Sequence, residues 1–429
     1  MGQTLAEKLV ARAADRESVS PGEIVTCRVD LAMVHDSSGP RRLKPMLERL
    51  GVGVWDPDRL VVITDHFAPA FDEASAAIQK LTRDWVAAAG VGNFHDMQGV
   101  CHIVLPERGH LTPGMFVVGG DSHSCTGGAF GCFMFGIGAT DMAGVVATGE
   151  TWIRVPETIR LRWSGSLGRG VAAKDMMLAL CARLGMDGGD YQVIQYDGAA
   201  VTDLAMAERM TLCNMAVELG AQTGLIAPDR VTEDYLREAG ARLDGEAGDL
   251  ARWQSDPDAA YRTTLDFDAG ALAPHVAAPH SPANSAPVAE FGGVAIDRAY
   301  IGACTGAKLT DLRMAAEVLR GRKVAGGTRL LVAPASARVA DQAAAEGTLD
   351  ILTAAGADIL PTGCGACAGY GGALLPEDEV CISSTARNFK GRMGATSSQV
   401  YLASPYTVAA AAVTGHIGDP RELLDGAGP

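Results

Sequence analysis

Aromatic residues are scarce in this chain of 429 residues, because Phe, Trp and Tyr together make up only 5%. Runs of lysine or arginine are also missing, and the formal net charge is -15. A nucleic-acid surface needs clustered basic residues to bind phosphates. The composition therefore argues against nucleic acid as a partner, and an anionic small molecule would have to be attracted by a few placed arginines.

No apolar run is long enough to suggest a membrane span. The longest weakly polar stretch, Gly127 to Gly149, is rich in glycine and contains Asp141, which does not suit a hydrocarbon environment. The first ten residues are charged and amphipathic and lack the apolar core of a signal peptide. These features predict a cytoplasmic protein that does not associate with a membrane.

Glycine and small apolar residues are abundant. The chain contains 52 glycines and is 48% apolar, a composition that suits closely packed α/β layers joined by tight loops. Its length predicts several domains, which we place at residues 1–156, 157–287 and 288–429. The proline-rich stretch from Ala269 to Pro287 is expected to be extended chain between the last two domains, without regular structure.

Polar residues follow predicted strands at six places. Strands alternate with helical segments such as 310–319, a pattern typical of parallel α/β layers. In open parallel sheets, ligands bind beyond the carboxyl ends of the strands. The sequence therefore predicts a site built from the residues after these strands, which are His35-Asp36, Asp65-His66, Asp121-Ser122-His123, Cys304, Cys364 and Arg387.

Three cysteines are set in two glycine-rich stretches of the second half, Cys304 in one and Cys364 with Cys367 as a Cys-x-x-Cys pair in the other. Three thiolates could hold a four-iron cluster and leave one iron open as a Lewis acid, because such clusters usually have four cysteine ligands. A zinc site, a redox pair and plain structural thiols are the alternatives. Cys381 lies inside a predicted strand and is a poor fourth ligand. Five others are expected in the core: Cys27, Cys101, Cys132, Cys181 and Cys213.

Carboxylates neighbour histidines at Asp65-His66 and Asp121-Ser122-His123, and His102 lies nearby in sequence. A carboxylate raises the basicity of its histidine partner, which suits proton transfer at neutral pH. Capping of helix N-termini by the aspartates is the alternative interpretation.

Two further patterns are less specific. Asn214 and Glu218 are four residues apart and would share one face of a helix, which is most often solvated. Arg387 and Arg392 follow a predicted strand and could clamp carboxylates through their forked guanidinium groups. Surface salt bridges would explain the arginines equally well.

Several motifs together resemble the aconitase superfamily, over nearly the whole chain and in order. They are Gly119–Gly131, Phe135–Ala139, Cys304-Thr305, Gly363–Cys367, Arg387–Arg392 and Leu402–Pro405. The length is similar to that of the large subunit of the two-subunit isopropylmalate dehydratase and homoaconitase type. The resemblance implies several three-layer α/β/α domains around a cluster-containing cleft, without the swivelling fourth domain.

The resemblance also implies a 4Fe-4S cluster on Cys304, Cys364 and Cys367 with one open iron. The implied reaction is dehydration and rehydration of a hydroxy-di- or tricarboxylate such as 3-isopropylmalate. The implied roles are: for catalysis, Asp65 with His66, Asp121 with His102, and Glu218 with His123; for substrate binding, His35, Arg387 and Arg392; and for the cluster environment, Asn214 and Ser122.

In this family the serine base and another substrate arginine belong to the swivelling domain, so a small partner subunit is implied. The chain departs from the family pattern near the cluster: Ala303 replaces a serine, Gly306-Ala-Lys308 replaces Asn-Gly-Arg, and Ala386 replaces an asparagine. These departures leave the substrate open, with methylated malate or maleate as further candidates. An RNA-binding protein and a zinc-bearing scaffold are alternatives from other classes.

Overall fold

The computed structural model describes residues 2–425. The strands among these residues are β1 (Ile24–Arg28), β2 (Leu31–His35), β3 (Leu60–Thr64), β4 (Asn93–Asp96), β5 (Phe116–Gly119), β6 (Phe133–Gly136), β7 (Glu150–Arg154), β8 (Thr158–Ser164), β9 (Val193–Asp197), β10 (Thr223–Leu225), β11 (Thr263–Asp268), β12 (His275–Ala277), β13 (Ser285–Pro287), β14 (Arg298–Ile301), β15 (Arg329–Val332), β16 (Ala357–Ile359), β17 (Val380–Ser383) and β18 (Gln399–Ala403).

The α-helices in the same part of the chain are α1 (Leu5–Ala13), α2 (Pro40–Leu50), α3 (Glu73–Ala89), α4 (Cys101–Glu107), α5 (Ala139–Thr148), α6 (Ala173–Leu184), α7 (Ala199–Asp203), α8 (Met206–Asn214), α9 (Arg230–Glu238), α10 (Leu309–Leu319), α11 (Ala337–Ala345), α12 (Thr348–Ala355), α13 (Pro405–Thr414) and α14 (Arg421–Asp425). No helix in the described residues is long and apolar enough to cross a membrane.

The described chain forms two compact units. The first contains the residues up to Asp96, then Val104–Trp163 and Asp187–Phe267. The second contains Met97–Ile103, Ser164–Met186 and the described residues from Asp268 onward. The division into three domains that the sequence predicts stays a prediction.

A five-stranded sheet in the order β4-β3-β2-β5-β6 organises the first unit, and all its neighbouring strands are parallel. Strands β2, β3 and β5 are buried along their whole length, as expected for a sheet covered on both faces. The amphipathic helix α1 contributes Leu5 and Leu9 to the core beneath it. This arrangement places the carboxyl ends of β2, β3 and β5 at one edge of the sheet.

Two smaller sheets complete the first unit. Strands β10, β9 and β8 are parallel, and β11 is the fourth strand of that sheet. The β-rich segment from Glu23 to Val34 forms two strands rather than one, since β1 pairs with β7 in an antiparallel ribbon while β2 enters the five-stranded sheet.

The second unit contains a seven-stranded sheet in the order β13-β12-β18-β17-β14-β15-β16. The five strands from β18 to β16 are parallel, and the helix predicted over 310–319 is α10, which packs against α13. The expectation of no regular structure over Ala269–Pro287 is wrong, because β12 and β13 lie there. Residues 275–277 contain no proline, and Pro287 ends an edge strand, where a missing N–H is tolerated.

Candidate active site

Three neighbouring strands of the first unit end at the predicted acid-base loops. Strand β2 ends at His35, β3 is followed by Asp65, and β5 is followed by Asp121. Because β2 lies between β3 and β5 in a parallel sheet, these loops leave the same edge. The structure thereby brings together side chains that are up to about 90 positions apart in the sequence.

The Asp65 carboxylate lies against His66, with Oδ1 2.6 Å from His66 Nδ1. Burial disfavours the charged imidazole, but the charge and hydrogen bond of Asp65, with Asp121 and Asp36, outweigh it and raise the pKa of His66 to about 9. The His66 ring also stacks on the His35 ring, with centroids 4.0 Å apart. His66 is therefore held as an imidazolium at neutral pH.

A second carboxylate, Asp36, fixes the loop that carries His66. It is fully buried and accepts hydrogen bonds from the backbone N–H groups of His66 (3.1 Å) and Phe67 (2.9 Å). Burial and the nearby charge of Asp65 raise its pKa above the usual range. Asp36 thus orients the backbone of His66, while Asp65 orients its ring.

Asp121 combines a capping role with a place in the cluster of histidines. Its side chain accepts a hydrogen bond from the N–H of His123 (2.8 Å) and caps the 3-10 helix Ser122–Phe130. Its other oxygen, Oδ2, lies 3.8 Å from His35 Nε2. Asp121 can therefore cap the 3-10 helix and also belong to the candidate site. The adjacent Ser122 is exposed.

Two buried polar pairs lie in the first unit. His123 Nε2 lies 3.1 Å from Glu218 Oε1, and Asn214 donates to Thr126 Oγ1 at 2.7 Å. Asn214 ends α8, and Glu218 lies in the 3-10 helix Met215–Leu219 that continues it. Both are buried, so the interpretation of this face as a solvated stripe is wrong.

Glycine lets the 3-10 helix Ser122–Phe130 approach β10 closely. A Cβ added at Gly128 would lie only 1.7 Å from the carbonyl oxygen of Gly224, and Ile226 N donates to the Gly128 carbonyl at 3.0 Å. No larger residue fits at position 128 without moving backbone. The glycine-rich motif is thus a packing requirement of the segment that carries His123.

His102 lies in the second unit, at the start of α4, and is buried. The segment before it is attached to the loop after β15, because Val100 N donates to the Ala335 carbonyl at 2.8 Å and Ala337 N donates to the Gln98 carbonyl at 2.9 Å. This pair of backbone hydrogen bonds fixes the position of the short segment Met97–Ile103.

The three predicted ligand cysteines are also in the second unit and differ from the other seven in exposure. Cys304 and Cys367 are 6% and 8% exposed and Cys364 is half-buried, whereas every other cysteine is exposed by at most 1%. Thiols with some exposure are the more reactive ones, whereas fully buried thiols are usually structural. The expectation that Cys27, Cys101, Cys132, Cys181 and Cys213 belong to the core is confirmed.

The buried ring of Tyr300 connects the two cysteine segments. A Cβ at Gly302 would lie 2.2 Å from this ring, and one at Gly365 would lie 4.0 Å from its hydroxyl. Burial, followed by the thiols of Cys367 and Cys364, raises the pKa of Tyr300 above its usual range. Both cysteine segments therefore converge on one side chain.

Ser384, just after β17, binds the Cys304 loop through both its side chain and its carbonyl group. Its Oγ accepts from Gly302 N at 3.0 Å, and its carbonyl accepts from Thr305 Oγ1 at 2.9 Å. A Cβ added at Gly306 would lie 2.1 Å from Ser384 Oγ. The departure from asparagine at position 306 is thus matched by a serine side chain that fills the space.

The two predicted arginines flank a well-anchored turn. Arg392 Nε donates to the Cys367 carbonyl at 2.8 Å, and Arg387 lies 6.0 Å from the centre of the Phe389 ring. Between them, Asn388 donates to the carbonyls of Ala278 and Val400 at 2.7 and 2.9 Å. One guanidinium is thereby attached to the backbone of a candidate ligand cysteine.

Comparison with known proteins identifies the family. The sequence model described as "Aconitase family (aconitate hydratase)" matches residues 7–295 and 289–415. The chain belongs to the aconitase family. It is 47% identical to the 3-isopropylmalate dehydratase large subunit 1 of Methanopyrus kandleri, over 99% of this chain and 100% of the relative. It is 45% identical to a probable methanogen homoaconitase large subunit of Methanosarcina mazei, over 92% and 99% respectively.

A solved structure supports the fold of this aconitase-family chain. Thermococcus kodakaraensis aconitase X (holo-form) matches with a TM-score of 0.50 at 12% identity, over 99% of this chain and 100% of that one. The predicted family, the α/β fold class and the enzyme class, a hydro-lyase, are confirmed. Proteins of this family carry a 4Fe-4S cluster.

Sequence reasoning missed several residues that shape the site of this aconitase-family chain. Thr126 accepts a hydrogen bond from the side-chain amide of Asn214. Tyr300 lies between the cysteine segments, and Lys308 is buried beside Cys304. Lysine is mostly exposed in proteins and tyrosine is intermediate, so their residue types do not indicate these buried positions. The position of Lys308 four residues after a candidate ligand was the one available hint.

Proposed function

We propose that the chain is the large subunit of a two-subunit iron-sulfur hydro-lyase acting on a hydroxy-di- or tricarboxylate such as 3-isopropylmalate. The observation that carries this proposal is that the segments of Cys304, Cys364 and Cys367 converge on Tyr300, while these three thiols keep some exposure and the other seven have almost none. The names of the relatives, which are large subunits, support a small-subunit partner. A cytoplasmic location stays a prediction.

The three cysteines fit an iron-sulfur cluster by their chemistry. Thiolates are the ligands that such clusters require, and these three belong to segments that converge on Tyr300. When bound, a four-iron cluster with three thiolate ligands supplies a Lewis acid for a hydroxyl group. Glycines at positions 363, 365 and 369 adopt positive φ around the Cys-x-x-Cys pair, which exposes backbone N–H groups without side-chain obstruction.

Proton supply to the leaving hydroxyl group falls to His66. Its Nδ1 is engaged by Asp65 at 2.6 Å, so the proton available for transfer is on Nε2. The pKa near 9 keeps this proton in place at neutral pH, and transfer to a departing hydroxyl relieves the buried positive charge. His123 with Glu218 forms a second pair of the same chemistry, and Asp121 with His102 is the third pair in this proposal.

Substrate carboxylates would be bound by Arg387 and Arg392, with His35 as a further contact. A guanidinium binds a carboxylate through two parallel hydrogen bonds. Because Arg392 Nε is occupied by the Cys367 carbonyl, its remaining N–H groups face the ligand in this proposal. Asn214 and Ser122 are assigned to the cluster environment. The base that removes the carbon-bound proton would come from the partner subunit.

The test is a hydration screen on the complex of this chain with its co-purified small subunit, after reconstitution with iron and sulfide. We expect the complex to hydrate an unsaturated diacid, which is measured as a loss of ultraviolet absorbance. Neither subunit alone should turn the diacid over. The candidates are the dehydrated forms of 3-isopropylmalate, homocitrate-like acids and methylated malate, together with maleate. Turnover unchanged by omission of iron and sulfide, or turnover of none of these acids, would contradict the proposal.

A further inference from the structure

Two lysines of the second unit are buried, which is unusual for this residue type. Lys174 is 2% exposed and Lys308 is 4% exposed. A buried ammonium group is costly unless it is paired and hydrogen-bonded. Their contacts therefore indicate what their charge stabilises.

Lys308 contacts the backbone of the first candidate ligand. Its Nζ donates to the Cys304 carbonyl at 3.0 Å and lies 2.7 Å from Asp311 Oδ2. The same Asp311 oxygen accepts from the Lys308 N–H at 2.9 Å, at the start of α10. The ammonium group is thus fixed on both sides, directly behind Cys304.

Lys174, from α6, contacts the neighbouring loop. Its Nζ donates to the Thr385 carbonyl at 2.6 Å and to the Ser384 carbonyl at 3.4 Å. Ser384 in turn holds Gly302 and Thr305 on either side of Cys304. Lys174 therefore supports the Cys304 loop from its other side, through one intermediate residue.

Asp311 is electrostatically coupled to both lysines. Burial raises its pKa, and the charges of Lys308 and Lys174 act against that rise. A second buried carboxylate, Asp175, is coupled to Lys174 in the same way, because burial raises its pKa to about 7 and the charge of Lys174 acts against that rise. These charges lie within a buried region where they are weakly screened, so the ammonium group of Lys308, which contacts the Cys304 carbonyl, acts on its surroundings at short range.

We propose that Lys174 and Lys308 are positioning residues whose ammonium groups, placed against the Cys304 loop, set the reduction potential of the iron-sulfur cluster and its retention. The inference rests on the proposed function, because it requires a cluster at Cys304. A cluster held by thiolates carries negative charge, and its potential depends on neighbouring charge and hydrogen bonds. A nearby cation favours the reduced state, whereas a nearby anion disfavours it.

The experiment compares Lys308→Met with Asp311→Asn in the reconstituted complex. Lys308→Met removes the positive charge and should make the midpoint potential more negative, with iron loss in air about tenfold faster for one lost charge-assisted hydrogen bond. Asp311→Asn keeps an oxygen for the N–H of Lys308 and removes the negative charge, so the potential should become more positive. Lys323→Met and Asp358→Asn are matched controls, because both residues are exposed in the same unit.

Shifts of opposite sign support the inference, since structural damage alone would move both variants in the same direction. Equal shifts in both variants, or no shift in either, overturn it. If Lys308→Met does not fold, as judged by its melting curve, the sign of the Asp311→Asn shift decides alone. If the wild-type chain holds no iron and sulfide, the proposed function itself fails. If the wild type holds the cluster but the potentials do not shift as expected, only this inference fails.

Discussion

Asp65 Oδ1 and His66 Nδ1 lie 2.6 Å apart, between adjacent residues at the end of a buried strand. Neighbouring side chains in an extended strand point to opposite faces, so this contact requires the chain to turn directly after β3. Asp36 stabilises that turn through the N–H groups of His66 and Phe67. The neighbouring Asp65 and a residue that follows the adjacent strand thus jointly orient one imidazole.

Replacing Asp65 with asparagine should lower the pKa of His66 from about 9 to its ordinary value or below. Protonated His66 is required, so activity falls as pH rises through its pKa, and the alkaline limb should move to lower pH. At pH 8 the protonated fraction would fall about 30-fold if the pKa became about 6.5. The pH profile of kcat/KM measures this, with Asp84→Asn as an exposed control. An unshifted alkaline limb in Asp65→Asn would refute the assignment of the proton donor.

Glu218→Gln should lower kcat by about two to four orders of magnitude, the usual contribution of an acid-base group. The amide can still accept a hydrogen bond from His123, so the 3.1 Å contact is retained while the charge is lost. Steady-state kinetics and a melting curve measure the effect, and exposed Glu48→Gln is the control. A variant with full activity would show that this pair does not take part in the reaction.

Gly306→Ala should destabilise the chain by about 1–3 kcal/mol, because a Cβ there meets Ser384 Oγ at 2.1 Å. The double variant Gly306→Ala with Ser384→Gly should recover less than the full loss, since Ser384 also binds the Gly302 N–H. Chemical denaturation measures both. Gly326→Ala is a matched control, because open space surrounds that glycine. Equal stability of Gly306→Ala and Gly326→Ala would contradict the packing described for the Cys304 loop.

The sequence allows the strand ends to be predicted well. Segments such as Leu60–Thr64 are short, apolar and β-branched, and turn-forming residues follow them. All six predicted positions accordingly lie at the last residue of a strand or shortly after it. Prolines misled the prediction at Ala269–Pro287, because a proline-free triplet and an edge position are sufficient for short strands. Local patterns also do not reveal which strands become neighbours.

Candidate site residues were predictable where their chemistry is uncommon, as at the cysteines and Asp65-His66. Glu218 was ambiguous, because an i, i+4 pair gives no sign of burial. The contacts of Lys174 could not be predicted, since tertiary packing brings the Thr385 carbonyl to it from 211 positions away. Lys308 contacts a carbonyl only four residues earlier, but its sequence gives no sign that it is buried.

The ligand set of the cluster is the central claim, and Mössbauer spectroscopy with iron and sulfide analysis tests it most directly. We predict about four iron and four sulfide per chain in the reconstituted wild type, and loss of the cluster in Cys304→Ala, Cys364→Ala and Cys367→Ala. Cys381→Ala should retain it, because that thiol is fully buried in β17 of the same unit. Zinc near one equivalent without sulfide, or equal cluster loss in Cys381→Ala, would contradict the account.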